Sequence, residues 1–146
     1  LDGEAFSYYP SGKLENKSFF KDGKREGESL TYYENGKLKK KILYKNGMKN
    51  GLAIIYHENG IIKQKSTFKN DKREGDLFIY YPSGKLLQKR KYINGKAEGE
   101  LIEYYENGVV KEKAYFINDK QEKEHFFYDE KGKLIKTDIY KNGVKQ

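Results

Sequence analysis

The side chains able to do acid–base, metal or nucleophilic chemistry are few and scattered. The chain has two histidines, His57 and His125, and no cysteine. A zinc site needs three or four converging protein ligands. Two histidines far apart along the chain, with no thiolates, do not assemble such a set, so no metal and no cofactor is expected. Ser11 and Ser83 stand in Pro-Ser-Gly segments without a histidine nearby to act as general base. Serine is favoured in such turns for its own hydrogen-bonding reasons. Glu26, Glu74, Glu98 and Glu122 recur, each with a Lys or Arg within two residues. A glycosidase pair needs two carboxylates converging across one cleft at about 5–10 Å, whereas these are dispersed; they read as surface ion pairs, worth little each. The glycines never form a phosphate-binding loop running into a helix. The expectation is a chain that is not an enzyme.

The elements behind these residues explain the dispersal. The chain is 146 residues long, and six units of 24 fill almost all of it. Gly12, Gly36, Gly60, Gly84, Gly108 and Gly132 repeat at that spacing without insertion. The units run 3–26, 27–50, 51–74, 75–98, 99–122 and 123–146. Every glycine falls at the first, tenth or twenty-first position of a unit. The sixth position is always tyrosine, from Tyr8 to Tyr128, and the eighteenth is always aromatic, from Phe20 to Tyr140. A fixed period of this length marks a repeat array in which each unit buries its surface against its neighbours.

Each unit reads as two strands, at about positions two to seven and eleven to nineteen. Pro10 and Pro82 identify the intervening turn, because proline cannot adopt positive φ yet fits the second position of a type I turn. The loop is therefore a type I turn followed by a left-handed glycine, a three-residue hairpin connection with a bulge. That register sets Tyr32 opposite Leu38 and Tyr80 opposite Leu86. A second turn follows at Asn46-Gly47 or Asn70-Asp71 and their equivalents. Period-two alternation sets positions four, six, twelve and eighteen on one face (Phe6, Tyr8, Leu14 and Phe20 in the first unit). The opposite face then takes the seventh-position tyrosines and the lysines at positions eleven and fifteen. No window carries the apolar spacing of an amphipathic helix. The fold class is all-β, an elongated, twisted antiparallel array of β-hairpins in a single layer, one array over residues 1–146.

Charge narrows the partners. The net charge is +8, yet 22 acidic residues are interleaved with 30 basic ones, and only Arg25, Arg73 and Arg90 are arginines. Readers of nucleic acid depend on the planar arginine fork, so nucleic acid is not expected. No apolar run reaches the roughly 20 residues of a membrane-spanning helix.

The unit Gly-Glu-x-φ-x-Tyr-Tyr-Glu-Asn-Gly-Lys-Leu-x-x-Lys-x-x-Tyr-Lys-Asn-Gly-Lys-x-Glu resembles the bacterial variant of the MORN repeat. Gly27 to Asn50 and Gly99 to Glu122 carry the likeness most fully. The last unit departs from it, with Lys123, Asp129 and Lys131 in place of Gly, Tyr and Asn, as expected of a capping repeat. The resemblance implies an elongated hairpin sheet without enzymatic activity. It also implies a binding scaffold that is secreted, at the cell surface or cytoplasmic, the first two favoured over the last, some members being classed as antitoxin components. Eukaryotic relatives are associated with membrane attachment.

Two rows of side chains form the candidate binding surface. Lys17, Lys41, Lys65, Lys89 and Lys113 share one phase, and two strands per repeat place neighbours about 10 Å apart, near the Debye length. Tyr9, Tyr33, Tyr81 and Tyr105 share another, and tyrosine-rich surfaces bury much area at little entropic cost. Together they point to a non-catalytic scaffold for a protein partner, antitoxin-like or adhesive. The alternative is a module for an anionic glycan or anionic lipid of the cell envelope.

Overall fold

The computed structural model describes residues 2–146 and is all-β, with no helix among them. Two compact units divide the chain, one ending at Lys72 and one beginning at Arg73. The first contains β1 (Gly3–Tyr8), β2 (Leu14–Lys21), β3 (Lys24–Arg25), β4 (Gly27–Tyr32), β5 (Leu38–Lys45), β6 (Met48–Tyr56) and β7 (Ile62–Lys69), with the two-residue β8 (Lys72–Arg73) at the division. The second contains β9 (Gly75–Tyr80), β10 (Leu86–Ile93), β11 (Lys96–Tyr104), β12 (Val110–Ile117), β13 (Lys120–Tyr128), β14 (Leu134–Lys141) and β15 (Val144–Lys145). Within each unit successive strands pair antiparallel, hairpin after hairpin.

The first turn of each repeat follows from its residues. Gly36 N–H donates to the Tyr33 carbonyl at 2.8 Å and Tyr33 N–H to the Lys37 carbonyl at 2.8 Å. Gly36 has φ +83° while Glu34 and Asn35 stay at negative φ. That is a type I turn closed by a left-handed glycine, and Tyr32 faces Leu38 as Tyr80 faces Leu86. The second turn is different in kind. Asn46 and Gly47 are both at positive φ, 52° and 82°, and Lys45 pairs with Met48, which defines the tight type I′ connection.

A second bulge changes the faces. Tyr32 pairs with Leu38 but Thr31 pairs with Lys40, so Lys39 is an extra residue. The same occurs at Glu15, Lys63, Leu87, Lys111 and Ile135. One inserted residue shifts every later side chain of that strand to the other face. Phe20 and its eighteenth-position equivalents therefore do not share a face with positions four, six and twelve. The lysine column does. Phe6 pairs with Lys17, Leu30 with Lys41, Ile54 with Lys65, Phe78 with Lys89 and Ile102 with Lys113. The expectation that these lysines and the seventh-position tyrosines lie together is thus corrected: they occupy opposite faces.

The side chains that are most buried sit on the eighteenth-position face and are mostly small. In the first unit they are Ser18, Ser29, Ala53 and Ser66, and in the second Leu77, Ala97, Leu101, Ala114 and Asp138. All belong to the third, sixteenth or twenty-third positions. They form a floor walled by the aromatic row and the cations packed on it. Arg25 lies 5.9 Å from the Phe20 ring and 5.4 Å from Tyr44. Lys49 lies 5.1 Å from Phe68, and Arg90 lies 4.6 Å from Phe116. Stacking of this sort contributes about 0.5–1 kcal/mol at exposed sites. Arginine's planar group is suited to it, and all three arginines of the chain are used this way, Arg73 lying 5.5 Å from Tyr92.

Candidate binding faces

The seventh-position tyrosines are placed by the residue that ends each first strand, and their hydroxyls are engaged within the sheet. Tyr9 donates to the Tyr32 carbonyl and Tyr33 to the Tyr56 carbonyl, both at 2.6 Å. Tyr81 donates to the Tyr104 carbonyl and Tyr105 to the Tyr128 carbonyl, both at 2.8 Å. Each ties its hairpin to the hairpin 23 residues on. Partial burial, together with the carboxylates of Glu15 and Glu34, raises the Tyr9 phenol above the usual tyrosine range. The rings stay half-exposed, and Lys39 and Lys111 lie 5.4 and 6.0 Å from those of Tyr33 and Tyr105.

At the opposite ends of the hairpins the recurring glutamates act in the same manner. Glu26 accepts from the Asn46 amide at 2.8 Å, Glu74 from Asn94 at 2.7 Å, Glu98 from Asn118 at 2.9 Å and Glu122 from Asn142 at 2.7 Å. Each holds the left-handed asparagine that opens the next type I′ turn. Reading them as surface ion pairs missed this. The legible signal was that each glutamate stands 20 residues ahead of an Asn in the same phase.

The lysine column is largely neutralised. Lys17 meets Glu4 and Lys41 meets Glu28, each at 2.6 Å, while Lys89 reaches Asp76 at 3.9 Å. These acids occupy the second position, diagonal to the lysines on neighbouring strands. Hydrogen bonds to Glu4 and Glu28 raise the Lys17 and Lys41 ammonium groups above the usual lysine range. In the third repeat Leu52 stands where the acid would be, so Lys65 has no such partner beside it. Lys113 lies near Glu100 along one shallow depression.

What shares the lysine face is apolar and aromatic. Within the first unit it carries Phe6, Tyr8, Leu14, Leu30, Tyr32 and Ile54. Phe6 is 47% exposed and Tyr8 60%. Within the second it carries Ile102, Tyr104, Phe126 and Leu134, the last 47% exposed. Sequence reasoning did not include the sixth-position tyrosines in the candidate binding surface. The structure leaves this face without a covering layer in either unit. Among the described residues no group of three or more His, Asp or Glu is arranged to hold a metal ion. No helix is long and apolar enough to cross a membrane.

Recurring hairpins, most of them tied to a neighbouring repeat by a tyrosine hydroxyl or a glutamate carboxylate, define a β-hairpin repeat module, a scaffold for binding. The MORN repeat variant model matches residues 1–22, 25–46, 49–70, 73–94, 97–118 and 121–142, so the chain belongs to that family. A search of curated proteins found no match.

Proposed function

We propose that this protein is a non-catalytic scaffold that holds another protein against the face bearing the sixth-position tyrosines. The observation that carries this reading is the pairing of Lys17 with Glu4 and Lys41 with Glu28 beside exposed Phe6 and Tyr8. A polyanion would have to displace those carboxylates. A protein surface of mixed charge complements both rows while burying the rings between them. Aromatic anchors dominate such interfaces, and rim charges mainly adjust association rates. An antitoxin-type role, in which the face covers an enzyme's site, is one form of the same activity.

A second reading, recognition of an anionic glycan or lipid, draws its support from Lys65, which has Leu52 rather than an acid at the diagonal second position. Titration with phosphatidylserine vesicles at low and physiological salt separates the two. Protein recognition predicts weak association that added salt removes. Tight association at physiological salt, lost when Lys41, Lys65 and Lys89 are replaced by Gln, would overturn it.

A further inference from the structure

The opposite face of the first unit carries a groove that the function above does not use. Three rows of side chains build it across β1, β2, β3 and β4. Ser7, Asn16 and Thr31 are aligned by the pairs Ser7–Asn16 and Asn16–Thr31. The next row is small: Ala5 pairs with Ser18, and the Ser18 hydroxyl lies 2.8 Å from that of Ser29. The third is Phe20 paired with Arg25. A low floor thus lies between a wall of hydroxyl and amide groups and a wall of one ring and one guanidinium. The groove is open to solvent and offers about 440 Å³, a volume in the roughly 300–1,000 Å³ range of small-molecule sites.

Its polar groups are ordered yet keep spare capacity. Ser18 donates to Asn16 Oδ1 at 2.8 Å, and Asn16 Nδ2 donates to Thr31 Oγ1 at 3.1 Å. One Asn16 N–H and the Thr31 hydroxyl hydrogen remain for another acceptor. Arg25 is exposed, and its side chain packs on the Phe20 and Tyr44 rings. No carboxylate pairs with it among the described residues. Glu15, within 3.4 Å of the Ser7 hydroxyl, adds a strong acceptor at the rim. No other repeat combines these groups: Ile42 and Arg90 replace Ser18, and Ile55 and Ile79 replace Ser7 and Thr31.

We infer that this groove is a sugar site, taking one or two pyranose units. A pyranose offers an apolar ring face to pack on an aromatic side chain and a rim of hydroxyls that both donate and accept. Phe20 supplies the platform. Arg25, Asn16 and Thr31 donate, and Glu15 accepts. With one carboxylate, Glu15, and one guanidinium, Arg25, among its lining residues, the groove carries no net positive charge to favour a phosphate dianion, so charge alone does not select the ligand.

Titration of the ¹⁵N-labelled full chain with cellobiose, diacetylchitobiose and digalacturonate, and separately with inorganic phosphate, tests this. At least one sugar is expected to shift the amides of Ser7, Asn16, Ser18 and Thr31 saturably at millimolar concentration. Arg25→Gln should weaken that binding by about tenfold, the size expected for a lost hydrogen bond to a charged group. Ser18→Ile, which copies Ile42, should fill the floor and abolish saturation while leaving distant resonances in place. Should Ser18→Ile disturb the fold, Asn16→Ala at the rim serves in its stead and should also weaken binding. No saturable shift with any of the three sugars, unchanged shifts in the variants, or a response to phosphate alone would overturn the inference.

Discussion

Replacing Tyr33 with Phe isolates the tie between the second and third repeats. The ring remains, and with it the packing and the Lys39 contact at 5.4 Å. Only the hydrogen bond to the Tyr56 carbonyl at 2.6 Å is lost. A neutral hydrogen bond contributes about 0.5–1.5 kcal/mol net. The carbonyl ends a half-exposed strand where water replaces the phenol, so the full penalty for an orphaned acceptor does not apply. The expected loss is about 1 kcal/mol, or a melting temperature lower by about 2–4 °C in a chain of this size. Tyr33→Ala removes the ring as well and should cost about 2 kcal/mol more, taking roughly half of an aromatic side chain's area as buried. Urea denaturation followed by circular dichroism measures both. Tyr105→Phe, in the other compact unit, should add its own cost independently. If Tyr33→Phe matches wild type in the melt, the hydroxyls do not tie the repeats and the reasoning fails.

Other perturbations address the turns and the charges. Gly60 sits at φ +89° with open space around its Cβ position, so Gly60→Val should destabilise by about 1–2 kcal/mol from backbone strain alone, while Lys63→Gln on the exposed bulge should be neutral in the same melts. Glu98→Ala should free the Asn118 amide and cost about 1 kcal/mol, read most directly as faster hydrogen exchange at Asn118. Asp138 is held below the usual carboxylate range by hydrogen bonds from Lys136 and Lys145. Its contribution is therefore present above the unfolded-state value of about 3.9 and is lost as pH falls through the lower folded value. Asp138→Asn should lower stability at neutral pH and flatten the acid limb of a pH–stability profile; an unchanged acid limb would remove Asp138 as a contributor.

Much of the fold is legible because its signals are local and repeated. Pro10 and Pro82 exclude positive φ and so define the turn, and from the turn follows the pairing of Tyr32 with Leu38. The phase after position twelve was not legible in that way. The extra residue at Lys39 and its equivalents carries no glycine or proline to mark it, and extending the alternation through it exchanges the faces of everything beyond. One signal was present. Acids at the second position and lysines at the fifteenth are opposite charges in fixed phase, and cross-strand partners share a face. Glu4 and Lys17 therefore belong beside Phe6. The seventh-position tyrosines recur for a reason that spacing does not reveal, since the acceptor of each hydroxyl is a backbone carbonyl in the next repeat.

The claim that the sixth-position tyrosine face does the recognising is tested most directly by affinity capture with quantitative mass spectrometry. Wild type, Tyr8→Ser/Tyr32→Ser, and Lys41→Gln/Lys65→Gln/Lys89→Gln would be compared in lysate and envelope fractions. The account predicts a protein enriched by wild type, still held by the lysine variant and lost from the tyrosine variant. Partners that survive both tyrosine replacements and vanish with the three lysines would contradict it.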